Sequence, residues 1–416
     1  MTGTVARTRR RLAGRSSLLT NLAAATPAVR LLVLTQLAFN VGFFMVLPYL
    51  SVYLSQDLGL RAAFVGAVLG LRTFAQQGLF FVGGSFADRW GVKPVVIAGC
   101  VCRILGFAAL ACFTSVAGIV VATVLIGFAG ALFSPAVESA LATAAGGAQD
   151  RGLTRTDAFA LFSAFGQVGA FTGPLLGSLL LMADFAVACL VAAAVFVAIL
   201  LAHLRWLPAD PGTHSTGNWL DGWREVIANK TFLVFAVAMS TQLVAYNQMY
   251  LLLPLEVERA WGSQAPLGWY FALSSLFVVV AQLRVTRRAR SAAALPVGLM
   301  VMAAAFVVMA LLAPARLEGV AGLLPAAAFV LLLALGQMIV IPVSRNLVPR
   351  IASERRLGSY YGLLASIGGL GVLIGSVITG ALVDLMPSTG WGSAAPWGTV
   401  AVALVAGALV LRRGKW

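Results

Sequence analysis

This sequence predicts an all-α membrane protein of twelve transmembrane helices in two pseudo-symmetric six-helix halves, on three observations. First, of 416 residues 60% are apolar and only 10% charged, and the mean hydropathy is +0.95. A soluble globular chain carries about 25% charged residues, so this one lacks the polar surface to cover a soluble fold. Soluble enzymes, disordered chains and secreted disulfide scaffolds are excluded. Second, apolar runs of about 20 residues, the length that crosses a bilayer as a helix, recur twelve times. Third, stretches of the second half of the chain echo stretches of the first.

The runs fall at 30–54, 62–84, 94–113, 116–140, 157–181, 184–204, 231–255, 266–284, 292–313, 319–342, 358–382 and 395–411. They are continuous rather than alternating, which argues against barrel strands. An even number of spans puts both termini on one face. Of the 29 Lys and Arg residues, 24 fall on that face, from Arg7, Arg9, Arg10, Arg11, Arg15 and Arg30 to Arg412, Arg413 and Lys415. The opposite face holds Arg61, Arg259 and Arg316, while Arg72 and Arg103 lie inside spans. Basic residues stay in the cytoplasm during insertion, so both termini are expected there. The net charge of +15 reflects topology, and no nucleic-acid partner is expected. The stretch after Arg30 exceeds the length of an export signal's apolar core, so it reads as an uncleaved first helix.

These boundaries give a cytoplasmic N-terminal arm at 1–29, a six-helix bundle at 30–204, a cytoplasmic linker at 205–229 and a second bundle at 230–416. Within the linker Trp219, Leu220, Trp223, Val226 and Ile227 share one helical face. That pattern fits a short helix lying on the membrane surface, or a plain linker with two Trp anchors.

The internal repeat is ordered along the chain. TQLAFNVGFFMVLP at 35–48 aligns without gaps to TQLVAYNQMYLLLP at 241–254. Gly166, Gly169 and Gly173 recur as Gly368, Gly371 and Gly375, and Pro135 recurs as Pro342. Duplicated six-helix halves are a transporter architecture, with small-molecule substrate bound near the midplane between them. No GxxxxGK[ST] phosphate loop is present, so energy from nucleotide hydrolysis is not expected. Both histidines, His203 and His214, sit in or beside the linker, so carboxylates would have to carry any coupled proton. Cys100, Cys102, Cys112 and Cys189 lie in spans without metal-ligand spacing. No cofactor or metal is expected beyond the proton as coupling ion, and the chain reads as a monomer.

Ionisable residues inside a membrane are costly and mark function by default. Arg72 falls mid-span with Gln76 one turn on, Arg103 lies mid-span, and Glu138 follows Pro135 in the fourth span. Asp384 lies at the outer end of the eleventh, in an interfacial position. Glu138 is the candidate proton carrier. Arg72 is its candidate partner or an anchor for anionic substrate groups, and Arg103 is a further candidate in coupling. A structural ion pair or a snorkelling side chain is the competing reading for each. Gln36, Asn40, Gln76, Gln242, Tyr246, Asn247 and Tyr250 are candidates to line the cavity, although aromatic stripes also serve packing.

The loop GGSFADRWGVKP at 83–94 resembles the signature of the major facilitator superfamily, with Gly84, Asp88, Arg89, Gly91 and Lys93 on its defining positions. The expectation is that Gly84 allows close helix approach and Gly91 takes a tight turn. Asp88 is expected to cap the eleventh helix near residues 358–360. In the fifth span Gly169-x-x-x-Gly173-Pro174-x-x-Gly177 resembles the family's antiporter motif. The chain as a whole looks like the MdtH-type branch of proton-driven drug exporters. That resemblance implies a multi-pass protein of the bacterial inner membrane exporting amphipathic drug-like or secondary-metabolite compounds by rocker-switch alternating access. Uptake of a small metabolite, or lipid flipping, stands as the alternative. One departure is the fourth span, where Thr123 and Val124 precede Gly127 and the arginine that drug exporters often carry is missing.

The charge count makes a direct prediction. A fluorescent protein fused after Trp416 should fluoresce, and alkaline phosphatase fused there should be inactive; the reverse pair of results would invert the topology.

Overall fold

The computed structural model describes Leu22 and residues 25–146, 154–208, 226–289, 291–351 and 357–414. Among these, twelve helices are long and apolar enough to cross a membrane. They are α1 (Pro27–Asp57), α2 (Ala62–Ala87), α3 (Val92–Cys112), α4 (Val116–Ala145), α5 (Thr156–Leu180) and α6 (Phe185–Trp206). The second six are α7 (Lys230–Trp261), α8 (Leu267–Arg288), α9 (Ala294–Ala315), α10 (Gly319–Ile351), α11 (Ser359–Leu385) and α12 (Gly390–Arg413). Each coincides with an apolar run. Several extend past it, α10 by more than two turns, because a helix satisfies its own backbone in lipid and water alike. Arg7, Arg9, Arg10, Arg11 and Arg15 of the arm, Trp219, Leu220 and Trp223 of the linker, and Lys415 lie outside the described residues. Of the expected linker helix only 226–228 is described; Val226 is buried and Ile227 exposed.

Polar residues at the ends of apolar runs set where helices begin. The Thr154 hydroxyl accepts from the Asp157 amide at 3.1 Å and Asp157 accepts back from the Thr154 amide at 3.1 Å, a reciprocal cap. Asp184 caps α6 through the Ala186 amide and Asn229 caps α7 through the Phe232 amide.

Packing follows the repeat. In the first half α1 lies on α5 and α6, α3 on α4 and α6, and α2 on α4. In the second, α7 lies on α11 and α12, α9 on α10 and α12, and α8 on α10, the same set shifted by six helices. The halves meet at a related pair of seams, α2 with α11 and α5 with α8. The matched prolines act alike. Around Pro48, α1 tightens into a 3₁₀ turn at Leu47–Tyr49, and α7 breaks at residues 248–251 just before Pro254. Proline removes one backbone donor and clashes with the preceding turn.

The halves differ at their centres. In the first, Phe39 stacks on Phe133 (centroids 4.7 Å apart) and meets Phe196 edge-on at 5.4 Å. Arg103 sits among these rings, 4.6 Å from the Phe39 centroid and 5.2 Å from that of Phe196. In the second, Phe306, Phe329 and Trp397 pack at 5.0 and 5.3 Å. Among the described residues both buried arginines, Arg72 and Arg103, belong to the first half.

The signature loop is partly as expected. Gly91 has φ +87°, a conformation that favours glycine. Lys93 donates to the Leu204 and Leu207 carbonyls at 3.1 and 2.8 Å, closing the C-terminus of α6. Arg89 is exposed. The Asp88 side chain and residues 352–356 lie outside the described parts, so the expected cap of α11 does too. Gly84 corrects the sequence reading: a methyl there would meet nothing within 4 Å. The close approach belongs to its neighbour Gly83, whose Cα lies against the Ala131 carbonyl. One residue is about 100° of helix, enough to turn Gly84 away from α4.

Gly83→Ala should therefore destabilise the purified protein by about 1–3 kcal/mol, seen as a lower unfolding temperature. Gly84→Ala should stay within about 0.5 kcal/mol of the parent.

Candidate functional site

Between the halves lies a cavity of about 720 Å³, lined by α1, α4, α5, α7, α8 and α10. Its wall runs from Asn40 and Tyr246 in the middle of the molecule to Glu138, Gln282 and Arg345 near the basic face, the face carrying the Arg-rich ends. On the opposite face the halves are joined. The Tyr49 hydroxyl donates to the Pro174 carbonyl, and Gly268 of α8 abuts both. The outer segments of α1 and α7 also touch. The cavity is thus open on the basic face and sealed on the other.

Asp384 contributes to that seal. Its two carboxylate oxygens accept from the Ala62 and Ala63 amides at 2.9 and 2.8 Å. A residue at the end of α11 therefore caps the start of α2 in the other half, where free amides and the helix dipole favour negative charge. Sequence reading placed Asp384 at the interface but gave it no partner.

A second cavity of about 250 Å³ branches toward α2 and shares Gln36, Asn40, Phe44, Glu138, Phe162 and Tyr246 with the larger one. Its inner wall is Arg72, Thr73, Gln76, Asn247 and Tyr250. Arg72 donates to Gln76 Oε1 at 3.0 Å and to the Thr73 hydroxyl at 2.8 Å. From Thr73 a chain of bonds crosses the seam, to Asn247 at 3.1 Å and on to Ser376 at 3.0 Å. Tyr246 and Tyr250 stand edge to face, with hydroxyls 3.5 Å apart.

Six of the seven expected lining residues are brought together; Gln242 is not. The wall of α7 is the stripe Leu243, Tyr246, Asn247 and Tyr250, spaced i, i+3, i+4, i+7, and Gln242 sits one residue off it. Asn40 lines the cavity and also donates to the Gly166 carbonyl at 3.0 Å, tying α1 to α5. Gly169, Gly173 and Gly177 lie against the backbone of α1 at Leu37, Val41 and Met45, so this motif sets the α1–α5 spacing. Arg103 lies behind the wall rather than in it, 1% exposed.

The expected Glu138–Arg72 pair is not formed. Both line the smaller cavity, but Arg72 points to Gln76 and Thr73 while the charged neighbour of Glu138 is Arg345. Glu138 is exposed to the cavity rather than buried. Among the described residues the one ion pair is Arg259–Glu256, so Glu138 and Arg345 face each other without closing. Arg345 falls three residues beyond the apolar run 319–342, and sequence reading counts it only as a basic residue of the connection that follows. The repeat could have found it: Pro135-x-x-Glu138 corresponds to Pro342-x-x-Arg345.

A twelve-helix bundle with a central cavity between duplicated halves, reached from one face, defines a secondary-transporter fold. The Major Facilitator Superfamily profile matches residues 32–375, and the chain belongs to that family, a family of transporters rather than enzymes. It is 39% identical over 391 residues to an uncharacterized MFS-type transporter of Mycobacterium tuberculosis, covering 90% of this chain and 91% of that one. It is 33% identical over 378 residues to the multidrug resistance protein MdtH of Aeromonas hydrophila, covering 89% and 92%. Among solved structures, a peptide transporter POT crystallised with alafosfalin superposes with a TM-score of 0.77 at 17% identity, covering 95% of this chain and 97% of that one. The nucleoside transporter NupG does so at 0.75 and 16%, covering 94% and 100%. These two likenesses show the fold alone. The protein is thus a multi-pass bacterial membrane transporter for a small molecule.

Removing the Asp384 cap should weaken the seal by about 1 kcal/mol, shifting population toward the state open on the opposite face. Spin labels at Gln56 and Trp261, in a cysteine-free background, should report a larger long-distance fraction in Asp384→Ala. An unchanged distance distribution would mean that the cap carries no conformational preference.

Proposed function

We propose that this protein is a secondary active exporter of amphipathic, drug-like or secondary-metabolite compounds, driven by proton antiport through rocker-switch alternating access. The observation that carries the reading is the pair of connected cavities, open on the basic face, with Glu138 and Arg345 opposed at the mouth. The larger, about 720 Å³, falls in the range that holds drug-sized ligands. The wall mixes Phe44, Phe159, Phe162 and Phe271 with Gln36, Gln167, Ser274 and Gln337, chemistry suited to varied amphipathic molecules. The relatives named as multidrug resistance proteins support the same reading. The basic face is the cytoplasmic one, so the state described takes substrate from the cytoplasm or inner leaflet. One chain forms the whole cavity, so the monomer is the working unit.

In this proposal the halves rock about the α2–α11 and α5–α8 seams. Closing the mouth brings α4 and α10 together and joins Glu138 to Arg345; opening parts them and leaves Glu138 wet and free to exchange a proton. Gly84, Asp88, Arg89 and Gly91 act at the cytoplasmic end of α2, and Asp384 is their counterpart on the outer side.

Everted vesicles with an acidic lumen should accumulate at least some of a panel of anionic, neutral and cationic amphipathic dyes, and nigericin should collapse the gradient-driven part. Glu138→Gln should cut that accumulation by at least about tenfold while leaving dye binding intact. Equal flux with and without the gradient, or an unaffected Glu138→Gln, would sink proton coupling.

A further inference from the structure

The charge around the inner cavity does not balance. Its wall holds Arg72, Glu138, Tyr246 and Tyr250, and the joined larger cavity adds Arg345. Glu138 and Arg345 offset one another at the mouth, so Arg72 is left as net positive charge at the inner end. Arg103 stands directly behind, its guanidinium 4.6 and 5.3 Å from the centroids of Phe39 and Phe43, both of which form the wall. The two arginines are 4% and 1% exposed. Among the described residues the charged or titratable neighbours of Arg72 are Arg103, Tyr246 and Tyr250, and those of Arg103 are Arg72 and Cys100, with no carboxylate among them.

Their donors are also unspent. A guanidinium offers five N–H donors. Arg72 uses two, on Gln76 and Thr73, and its Nε has no acceptor. Among the described residues none accepts a hydrogen bond from any of the three nitrogens of Arg103. The nearby rings supply cation–π attraction, which neither neutralises the charge nor accepts those donors. Buried charges are ordinarily paired, and an orphaned polar group asks for a missing partner. An anion is the partner that would meet both needs, the charge and the donors, and about 250 Å³ lies open for it beside Arg72.

We propose that the inner cavity is an anion subsite: the transported compound carries a carboxylate, sulfonate or phosphate that binds the free donors of Arg72, with Arg103 adding field from behind the wall, while its apolar body lies in the outer cavity against Phe44, Phe159 and Phe271. This rests on the transport reading for what the cavity is for, and it narrows the substrate class from amphipathic compounds to amphipathic acids. Arg72 is also the start of the bond chain through Thr73 and Asn247 to Ser376, so an anion seated there contacts the network that ties α2 to α7 and α11.

The test uses three dyes with one fluorophore: dansylglycine (anionic), dansylglycinamide (neutral) and dansylcadaverine (cationic), titrated onto the full-length protein in phosphatidylcholine nanodiscs. Dansylglycine should bind at least about tenfold more tightly than the other two, the usual weight of a charge-assisted hydrogen bond. Arg72→Gln should erase that preference without weakening dansylcadaverine binding; Arg72→Lys should keep part of it. Gln76→Glu places a carboxylate where Gln76 Oε1 already meets Arg72, so it should raise thermal stability while abolishing dansylglycine preference. That opposed pair of effects is what loss of folding cannot mimic. Competition by added phosphatidylglycerol would assign the anion to a lipid headgroup, and its absence to a soluble acid; either supports the subsite. Equal affinity for the three dyes, or a cation preference, would overturn it. Anion-selective binding without gradient-driven flux would retire the antiport reading and leave the subsite standing.

Discussion

At three points where α2 meets α11 there is no room for a side chain. Gly66 lies against the Ser376 carbonyl, Gly70 against Leu373 and Gly380 against the Ala62 carbonyl. This backbone contact is what the rest of the arrangement depends on. In a bilayer the apolar lipid gives helices no hydrophobic reason to associate, so close van der Waals packing and interhelical hydrogen bonds must do so. The seam supplies both, with Asp384 on the first amides of α2, the Thr73–Asn247–Ser376 chain near the middle and Ser366 on the Gly78 carbonyl beyond it. A contact made of backbone and short polar groups has few long side chains to disentangle. It can therefore serve as the surface on which two rigid halves pivot.

The duplication explains why there are two such seams and why the cavity lies between them. It also exposes what is not duplicated. Helix pairs correspond throughout, yet the residue three after the matched proline is Glu138 in α4 and Arg345 in α10. A two-fold relation between unlike charges brings them face to face across the axis, where closing the cavity would attract them. The centres diverge as well: an arginine among phenylalanines in one half, phenylalanines and Trp397 in the other. In the proposed cycle the backbone symmetry would carry the motion and the side-chain asymmetry the chemistry.

How much of this was legible in the sequence follows from the range of each interaction. Span positions, the repeat and the turn at Gly91 depend on local composition or on one residue's backbone, and all were readable. Six of seven lining residues were readable too, because polar groups on matched first helices of two halves have one shared place to go. Gln242 failed because a cavity wall follows helical phase, which a gapless alignment does not resolve. Gly84 failed for the same reason, one residue from the glycine that is packed. Asp384 on Ala62 spans 322 residues of chain, and nothing local to α11 announces which helix end lies beside it. Arg345 was hidden because the apolar run closes at residue 342, whereas α10 runs on to Ile351 with Pro325, Pro342 and Pro349 all within it, since neighbouring helices and displaced hydrogen bonds absorb each break.

The buried arginines bind these threads together. Two uncompensated charges inside a membrane protein are expensive whatever the conformation, and a half-bundle evolving only for stability would lose them. Arg103 is held by Phe39, Phe43 and Phe196, three aromatic residues from α1 and α6, and Arg72 is held by Gln76 and Thr73. The rings and short polar groups fix the positions of both charges while leaving most of their donors free. That is preorganisation: most of the donors are available before an acidic group arrives, and the bond to Thr73 is the one an anion would have to loosen. Because Thr73 lies both on Arg72 and on the chain to Asn247 and Ser376, an anion that draws Arg72 toward itself loosens the hydrogen bond at the near end of the seam. A ligand can shift a conformational equilibrium only through a contact that differs between the states, and Arg72, through its bond to Thr73, joins the cavity to the Thr73–Asn247–Ser376 chain that crosses to the other half.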